Sequence, residues 1–202
     1  MKKLSLIILY SCLSIICFAK NGFLNQDSTT HLKETTWIDI NAGLLLTTGV
    51  ESSIDYLSGF SIDINYIDKN YSNYILKIGH HKGFDIIFSS NNYQSITEID
   101  LMTGKTHYGL YGICGFSIGL GFSNGVRYTG LIKSGNGSGI FSFNFTTNYN
   151  SKPFSMICIP IELYSNFNIE KFGLGIKWES NINPYLPYTG LSLFIELNNA
   201  RR

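Results

Sequence analysis

Eight stretches of this sequence alternate apolar and polar residues with a period of two, and the apolar side of each is free of Asp, Glu, Lys and Arg. Such alternation sends successive side chains to opposite faces of a β-strand, whereas a helix would repeat about every 3.6 residues. In Lys171–Glu179, Phe172, Leu174, Ile176 and Trp178 share one side, opposite Gly173, Gly175, Lys177 and Glu179. Ile157, Ile159, Ile161 and Leu163 oppose Met156, Cys158, Pro160, Glu162 and Tyr164, and Leu191, Leu193, Ile195 and Leu197 oppose Gly190, Ser192, Phe194 and Glu196. The runs Ile38–Leu46, Phe60–Tyr66, Tyr74–Gly79, Glu98–Met102 and Leu110–Phe122 obey the same rule, with Asp39, Asp63, Lys77, Glu98 and Asp100 on the polar side. An uncharged apolar face repeated eight times has one economical explanation, contact with hydrocarbon, where a Lys or Arg at mid-depth costs about 2–4 kcal/mol.

Composition agrees. Only 14% of the 202 residues are charged, against a usual ~25%, which is sparse for a water-facing surface and for a disordered chain. Beyond the N-terminus no apolar run approaches the ~18 residues of a membrane helix, so a helical bundle is excluded. With 15 Lys and Arg against 14 Asp and Glu, the chain lacks the basic face that nucleic acid requires. The gaps between runs fall near 47–58, 68–73, 82–95, 103–107, 123–152, 166–170 and 180–187, long alternating with short. Outer-membrane barrels sort their loops in this way, long outside and short in the periplasm. A spanning sheet cannot keep an open edge, and eight strands make a small closure whose bore side chains can fill. The expected fold is therefore an all-β, closed, antiparallel up-and-down transmembrane barrel of about eight strands. Pro160 breaks the pattern, because mid-strand it has no N–H to donate; a bulge or a water is expected there, at a cost of about 1 kcal/mol.

Residues 1–19 read as a signal peptide: Lys2 and Lys3 precede the apolar Leu4–Phe18, and Cys17-Phe18-Ala19 approximates a small-x-small cleavage site. A lipoprotein reading at Cys12 is weakened by the bulky Tyr10, and the stretch is short for a retained anchor. Residues 20–36 then form an N-terminal periplasmic segment, 37–197 the barrel and 198–202 a C-terminal tail.

The motifs of the C-terminal third, Ile159-Pro160-Ile161-Glu162-Leu163, Gly173-Leu174-Gly175-Ile176, Asn181-Ile182-Asn183-Pro184 and Tyr188-Thr189-Gly190-Leu191-Ser192-Leu193, resemble the small outer-membrane β-barrel proteins of Bacteroidetes-type bacteria. That resemblance implies insertion into outer-membrane lipid by the barrel-assembly machinery. Its recognition signal resembles polar-x-Gly-x-x-apolar-x-apolar, onto which Tyr188, Gly190, Leu193 and Ile195 can be laid. Such barrels often finish on an aromatic residue, whereas this chain runs on through Asn198 to Arg202.

Where chemistry is concerned, the polar faces gather Asp39, Asp63, Glu98, Asp100, Glu162, Glu179 and Glu196 with only Lys77 and Lys177. Buried carboxylates are costly unless water, protons or cations accompany them. The cluster would either plug a polar lumen with lysine–carboxylate pairs or line a narrow cation-preferring pore. His80, His81 and His107 stand at no metal-ligand spacing and no G-x-S-x-G is present, so no catalytic, cofactor or metal site is expected. The segment from Ser123 to Lys152 reads as the longest loop, with a flexible tip at Gly135–Gly139. Its Arg127, Tyr128, Phe141 and Phe143 are the candidates for recognition of a surface partner. The run Ile140–Phe145 would form a hairpin that either offers a strand edge to that partner or packs over the barrel mouth. Aromatics near strand ends (Trp37, Tyr66, Tyr74, Tyr108, Phe122, Phe167, Trp178 and Tyr188) suit a membrane girdle, although aromatics are common in strands generally.

Three functions follow: a non-enzymatic outer-membrane protein of structural or surface-contact role, a narrow pore, or a secreted lipocalin-like binder of an apolar ligand. In the last the same alternation would be turned inside out. Cys114 falls on the apolar face and Cys158 on the polar face of neighbouring strands, which no disulfide can bridge. Alkylation of denatured, unreduced protein followed by peptide mapping should label both thiols; recovery of a linked peptide pair would contradict the face assignment.

Overall fold

The computed structural model describes residues 34–48, 54–83, 94–108, 112–134, 147–169 and 172–198. They form eight strands: β1 (Thr35–Thr48), β2 (Ile54–Ile67), β3 (Ser72–Gly83), β4 (Ser95–Tyr108), β5 (Gly112–Ser134), β6 (Thr147–Ile169), β7 (Phe172–Ile182) and β8 (Tyr188–Asn198). Each is antiparallel to its sequence neighbour, and β8 closes on β1 with Asp39 opposite Glu196 and Ala42 opposite Leu193. Closure follows from the alternation: a sheet greasy on one side and wet on the other buries neither edge nor backbone in hydrocarbon once it is rolled up. The barrel thus runs from Thr35 to Asn198, slightly past the bounds read from the pattern.

Direction is unambiguous. Leu193 is 67% exposed and Ile157 71%, while Lys77 and Glu179 are each 1% exposed. The apolar residues therefore form an outer belt and the charged ones lie in the bore. This overturns the lipocalin-like alternative, which requires Leu174 and Ile176 inside; both face out. We call the end bearing the connections 49–53, 84–94, 135–146 and 183–187 the upper rim, and the end bearing 68–71, 109–111 and 170–171 the lower rim. At the lower rim the Asp68 carboxylate accepts from the backbone N–H of Asn70 and of Ser72, both at 2.8 Å, and so organises the β2–β3 turn.

Strands β5 and β6 are each 23 residues long, so much of the supposed loop 123–152 is paired strand, from Arg127 opposite Lys152 to Ser134 opposite Thr147. The signal was weak because this extension has no lipid on one side and so loses the alternation. Its tip, with Gly135–Gly139 and Ile140–Phe145, lies outside the described residues, as do residues 1–33. Pro160 causes no bulge. Ile118 faces Ile161 and Gly121 faces Cys158 in a single register, so the ladder simply skips the positions at Ile159 and Pro160, and the register shifts fall instead between Tyr128 and Gly130 and between Leu131 and Lys133.

Among the supposed girdle residues, Tyr66, Tyr74, Phe122 and Phe167 are exposed on the outside, and Tyr66 stacks on Tyr74 with ring centroids 6.1 Å apart. Trp37 and Tyr188 are buried inside, because their strand positions share the parity of Asp39 and Ser192. Cys114 and Cys158 are both free thiols, Cys158 buried in the bore. At mid-belt, Leu193→Arg should lower stability in lipid vesicles by about 2–4 kcal/mol, read as a reduced urea midpoint. An unchanged midpoint would mean that this face does not touch hydrocarbon.

Candidate functional site

The bore is built in layers. At its middle, Lys77 extends from β3 across the lumen to Glu179 on β7 (2.6 Å), Glu162 on β6 (3.2 Å) and Glu98 on β4 (3.2 Å). Lys177, from β7, pairs with Asp63 on β2 and lies 3.4 Å from Glu162. Glu162 is thereby shared by both ammonium groups. The structure places all nine predicted lumen residues inside, each at most 3% exposed. Six of them (Lys77, Lys177, Asp63, Glu98, Glu162 and Glu179) form this one ionic network.

The other three carboxylates take neutral partners. Asp39 accepts from Asn65 Nδ2 at 3.0 Å, Glu196 accepts from Asn166 Nδ2, and Asp100 lies 3.7 Å from Cys158 Sγ. Further donors complete the layer: Asn181 Nδ2 to Glu98 Oε2 at 2.8 Å, Tyr188 Oη to Glu98 Oε1, and Ser192 Oγ to Glu179 Oε1. These partners were missed in the sequence, although Asn65, Asn166, Asn181 and Ser192 stand at inward positions of the same alternation and were findable there. His81 also points inward, its Nε2 3.4 Å from Glu98 Oε1, whereas His80 sits 2.8 Å from Thr97 Oγ1. Among the described residues no group of His, Cys, Asp and Glu is arranged to hold a metal ion.

Apolar layers seal both sides of the charge. Towards the upper rim, Leu45, Leu57, Ile96, Phe154, Leu186 and Tyr188 form one buried cluster. Towards the lower rim, Ile75, Met102, Ile113, Tyr164 and Phe194 form another. Gly115 and Gly175 make room for that lower layer, since a Cβ at either would overlap the ring of Tyr164 or Phe194. Leu186 enters the upper layer from the 183–187 connection, which Asn183 folds: its Oδ1 accepts from the N–H of Tyr185 (3.0 Å) and Leu186 (2.6 Å), and its Nδ2 donates to the Leu186 carbonyl (3.0 Å).

Above this plug rises a two-stranded ribbon, since beyond Val126 strand β5 has no β4 partner and before Ile159 strand β6 has no β7 partner. Arg127 sits on its lumen-side face with the guanidinium 4.6 Å from the centre of the Tyr185 ring, a cation–π arrangement. Tyr185 in turn meets Phe154 at 6.0 Å. Tyr128 is half-buried on the neighbouring position. Phe141 and Phe143 lie outside the described residues. The ribbon is a poor template for strand addition: its β6 edge carries Lys152 and Pro153 and its β5 edge two register shifts, the devices by which sheets blunt an edge.

By sequence, the chain matches no family model and no curated protein. By structure it is similar to Ail, the attachment invasion locus protein of Yersinia pestis, at 12% identity and TM-score 0.56, covering 83% of this chain and 100% of that one. The same Ail in complex with the heparin analogue sucrose octasulfate aligns at 13% identity and TM-score 0.54 over the same shares. Neisserial surface protein A aligns at 8% identity and TM-score 0.58, again over 83% of this chain and 100% of that one. The fold is that of the small eight-stranded outer-membrane β-barrels.

Removing a lysine from the sealed layer strands its carboxylates. Lys77→Met should cost about 3–5 kcal/mol, measured as a lower urea midpoint of the refolded barrel, and a companion Glu179→Leu should return part of it. Equal stability of Lys77→Met and the unsubstituted protein would show that the layer is hydrated and open.

Proposed function

We propose that this is a non-enzymatic integral protein of the bacterial outer membrane, whose sealed barrel anchors and displays an upper-rim surface for contact outside the cell. The carrying observation is the layered bore. Charges buried between two apolar clusters, inside a belt of exposed Ile, Leu and Phe, suit a rigid anchor better than a water-filled pore. In this reading the upper rim faces outward, residues 1–19 direct export, 20–34 and 199–202 flank the barrel in the periplasm, and the barrel-assembly machinery inserts the chain. The resemblance of its C-terminal motifs to the Bacteroidetes-type barrels belongs to the same reading. Among structures that share the fold are an attachment invasion locus protein and a surface protein. A contact role here rests on this chain's own ribbon, which lifts Arg127 and Tyr128 above the belt.

Cell fractionation should place the protein in the membrane pellet, released only by detergent, with heat-modifiable mobility on a gel. A cysteine introduced at Ser151 should react with a membrane-impermeant label on intact cells. Purified protein in planar bilayers should give no unitary conductance steps. Recovery in the detergent-free soluble fraction would end the membrane reading, and well-resolved cation-selective steps would replace the anchor with the pore.

A further inference from the structure

We infer that the lower-rim end of the outer face of β4 is a binding site for an anionic phospholipid, with the lipid phosphate on Lys105 and its glycerol esters against Thr103. The inference needs the barrel in lipid and is independent of what the upper rim contacts.

Strand β4 is where the apolar belt is narrowest. Its outward positions run through Thr97, Ile99, Leu101, Thr103 and Lys105, all exposed, and only Ile99 and Leu101 of these are apolar. Ile99 to Leu101 covers about 7 Å of strand, whereas Phe116 to Phe122 on the neighbouring β5 covers about 20 Å. A wall too short for the hydrocarbon beside it is matched by a thinner bilayer and by side chains that snorkel to the interface. Both are built here. Lys105 stands opposite Ser72, the first residue of β3, and its Nζ donates to the Asn70 carbonyl at 3.1 Å and to Ser72 Oγ at 3.0 Å. The ammonium is thereby tied to the lower-rim turn, and the thinning falls in the lower leaflet.

Those two bonds also prepare the ligand site. An ammonium has three donors, and two of them go to neutral oxygens of the turn, which fix the group without cancelling its charge. The turn is itself held in place, since the N–H of Thr106 donates to the Tyr71 carbonyl at 3.0 Å and the Asp68 carboxylate caps Asn70 and Ser72 from within. Two residues up the strand, the short Thr103 lies between the larger Tyr74 on β3 and Ile118 on β5, with its hydroxyl available to an ester carbonyl. Tyr74 stacks on Tyr66, and amphipathic rings of this kind settle at headgroup depth.

Position selects the ligand. Thr103 and Lys105 share the parity of Leu101, which is 66% exposed on the outside of the barrel, so they meet lipid and not the lumen. A free phosphate would satisfy Lys105 and leave Thr103 against acyl chains. A phospholipid covers both at once, phosphate below and esters above, with its chains over Leu101. A headgroup with a net negative charge suits the uncancelled ammonium better than one that brings its own cation.

The test is native mass spectrometry of the full-length protein released from detergent micelles, with phosphatidylglycerol or phosphatidylcholine added one at a time. One phosphatidylglycerol should be retained per barrel, and phosphatidylcholine several-fold less. Lys105→Gln should weaken retention by about tenfold and Thr103→Val by about threefold, while Lys69→Gln, on the same turn, leaves it unchanged. Glycerol phosphate at the concentration of the lipid should not displace it. Heat-modifiable mobility of each variant establishes that the barrel is intact. Undiminished retention by Lys105→Gln, an equal loss with Lys69→Gln, equal retention of phosphatidylcholine, or displacement by glycerol phosphate would overturn the inference. Failure here with the protein still in the membrane pellet removes only this lipid site; recovery in the detergent-free soluble fraction removes the membrane reading itself.

Discussion

Backbone hydrogen bonds in hydrocarbon have no water to fall back on, and every other property of this protein follows from satisfying them. Because each strand must be paired on both sides at belt depth, β8 returns to β1 and the sheet becomes a cylinder. Once closed, the alternation leaves no choice of direction. The uncharged face must look outward, and the nine buried Asp, Glu and Lys residues share a bore too narrow to hydrate them freely.

The interior resolves that crowding by reaching across rather than along the wall. Neighbouring strands would oppose Asp39 to both Asp63 and Glu196, and Glu162 to Glu179, which taken alone is a ladder of repelling acids. Lys77 and Lys177 undo it because they are long enough to span the lumen. Lys77 on β3 meets Glu179 on β7, the strand half-way round the barrel. Such ion pairs act as struts between opposite walls. The two apolar layers above and below keep solvent from the struts, so their loss would leave buried charge unpaired rather than merely exposed.

Where the wall rises past the belt, the rules change. The β5–β6 ribbon is free of lipid, so it loses the strict alternation, admits two register shifts and gathers cations on one face. Its lower part is stitched to the mouth by Arg127, Tyr185 and Phe154, which connects the rim surface to the sealed core. The upper rim thus inherits the rigidity of the barrel beneath it.

The local pattern was enough to decide the strand content, the faces, the number of strands and the membership of the charge layer, because a period of two and the absence of charge on one side are properties of consecutive residues. Asp39, Asp63 and Glu98 could be placed in the bore from their immediate neighbours alone. Only the folded barrel decided which charges meet. The partners of Lys77 come from β4, β6 and β7, and nothing in the alternation along β3 encodes who stands across the lumen. Tyr188 and Trp37 were misjudged as girdle residues because nearness to a strand end was weighed above parity: they stand four and two residues from the inward Ser192 and Asp39, and the alternation alone places them inside. The length of β5 and β6 was hidden too, since pairing above the membrane is held by backbone bonds between distant segments and imposes no alternation on their side chains.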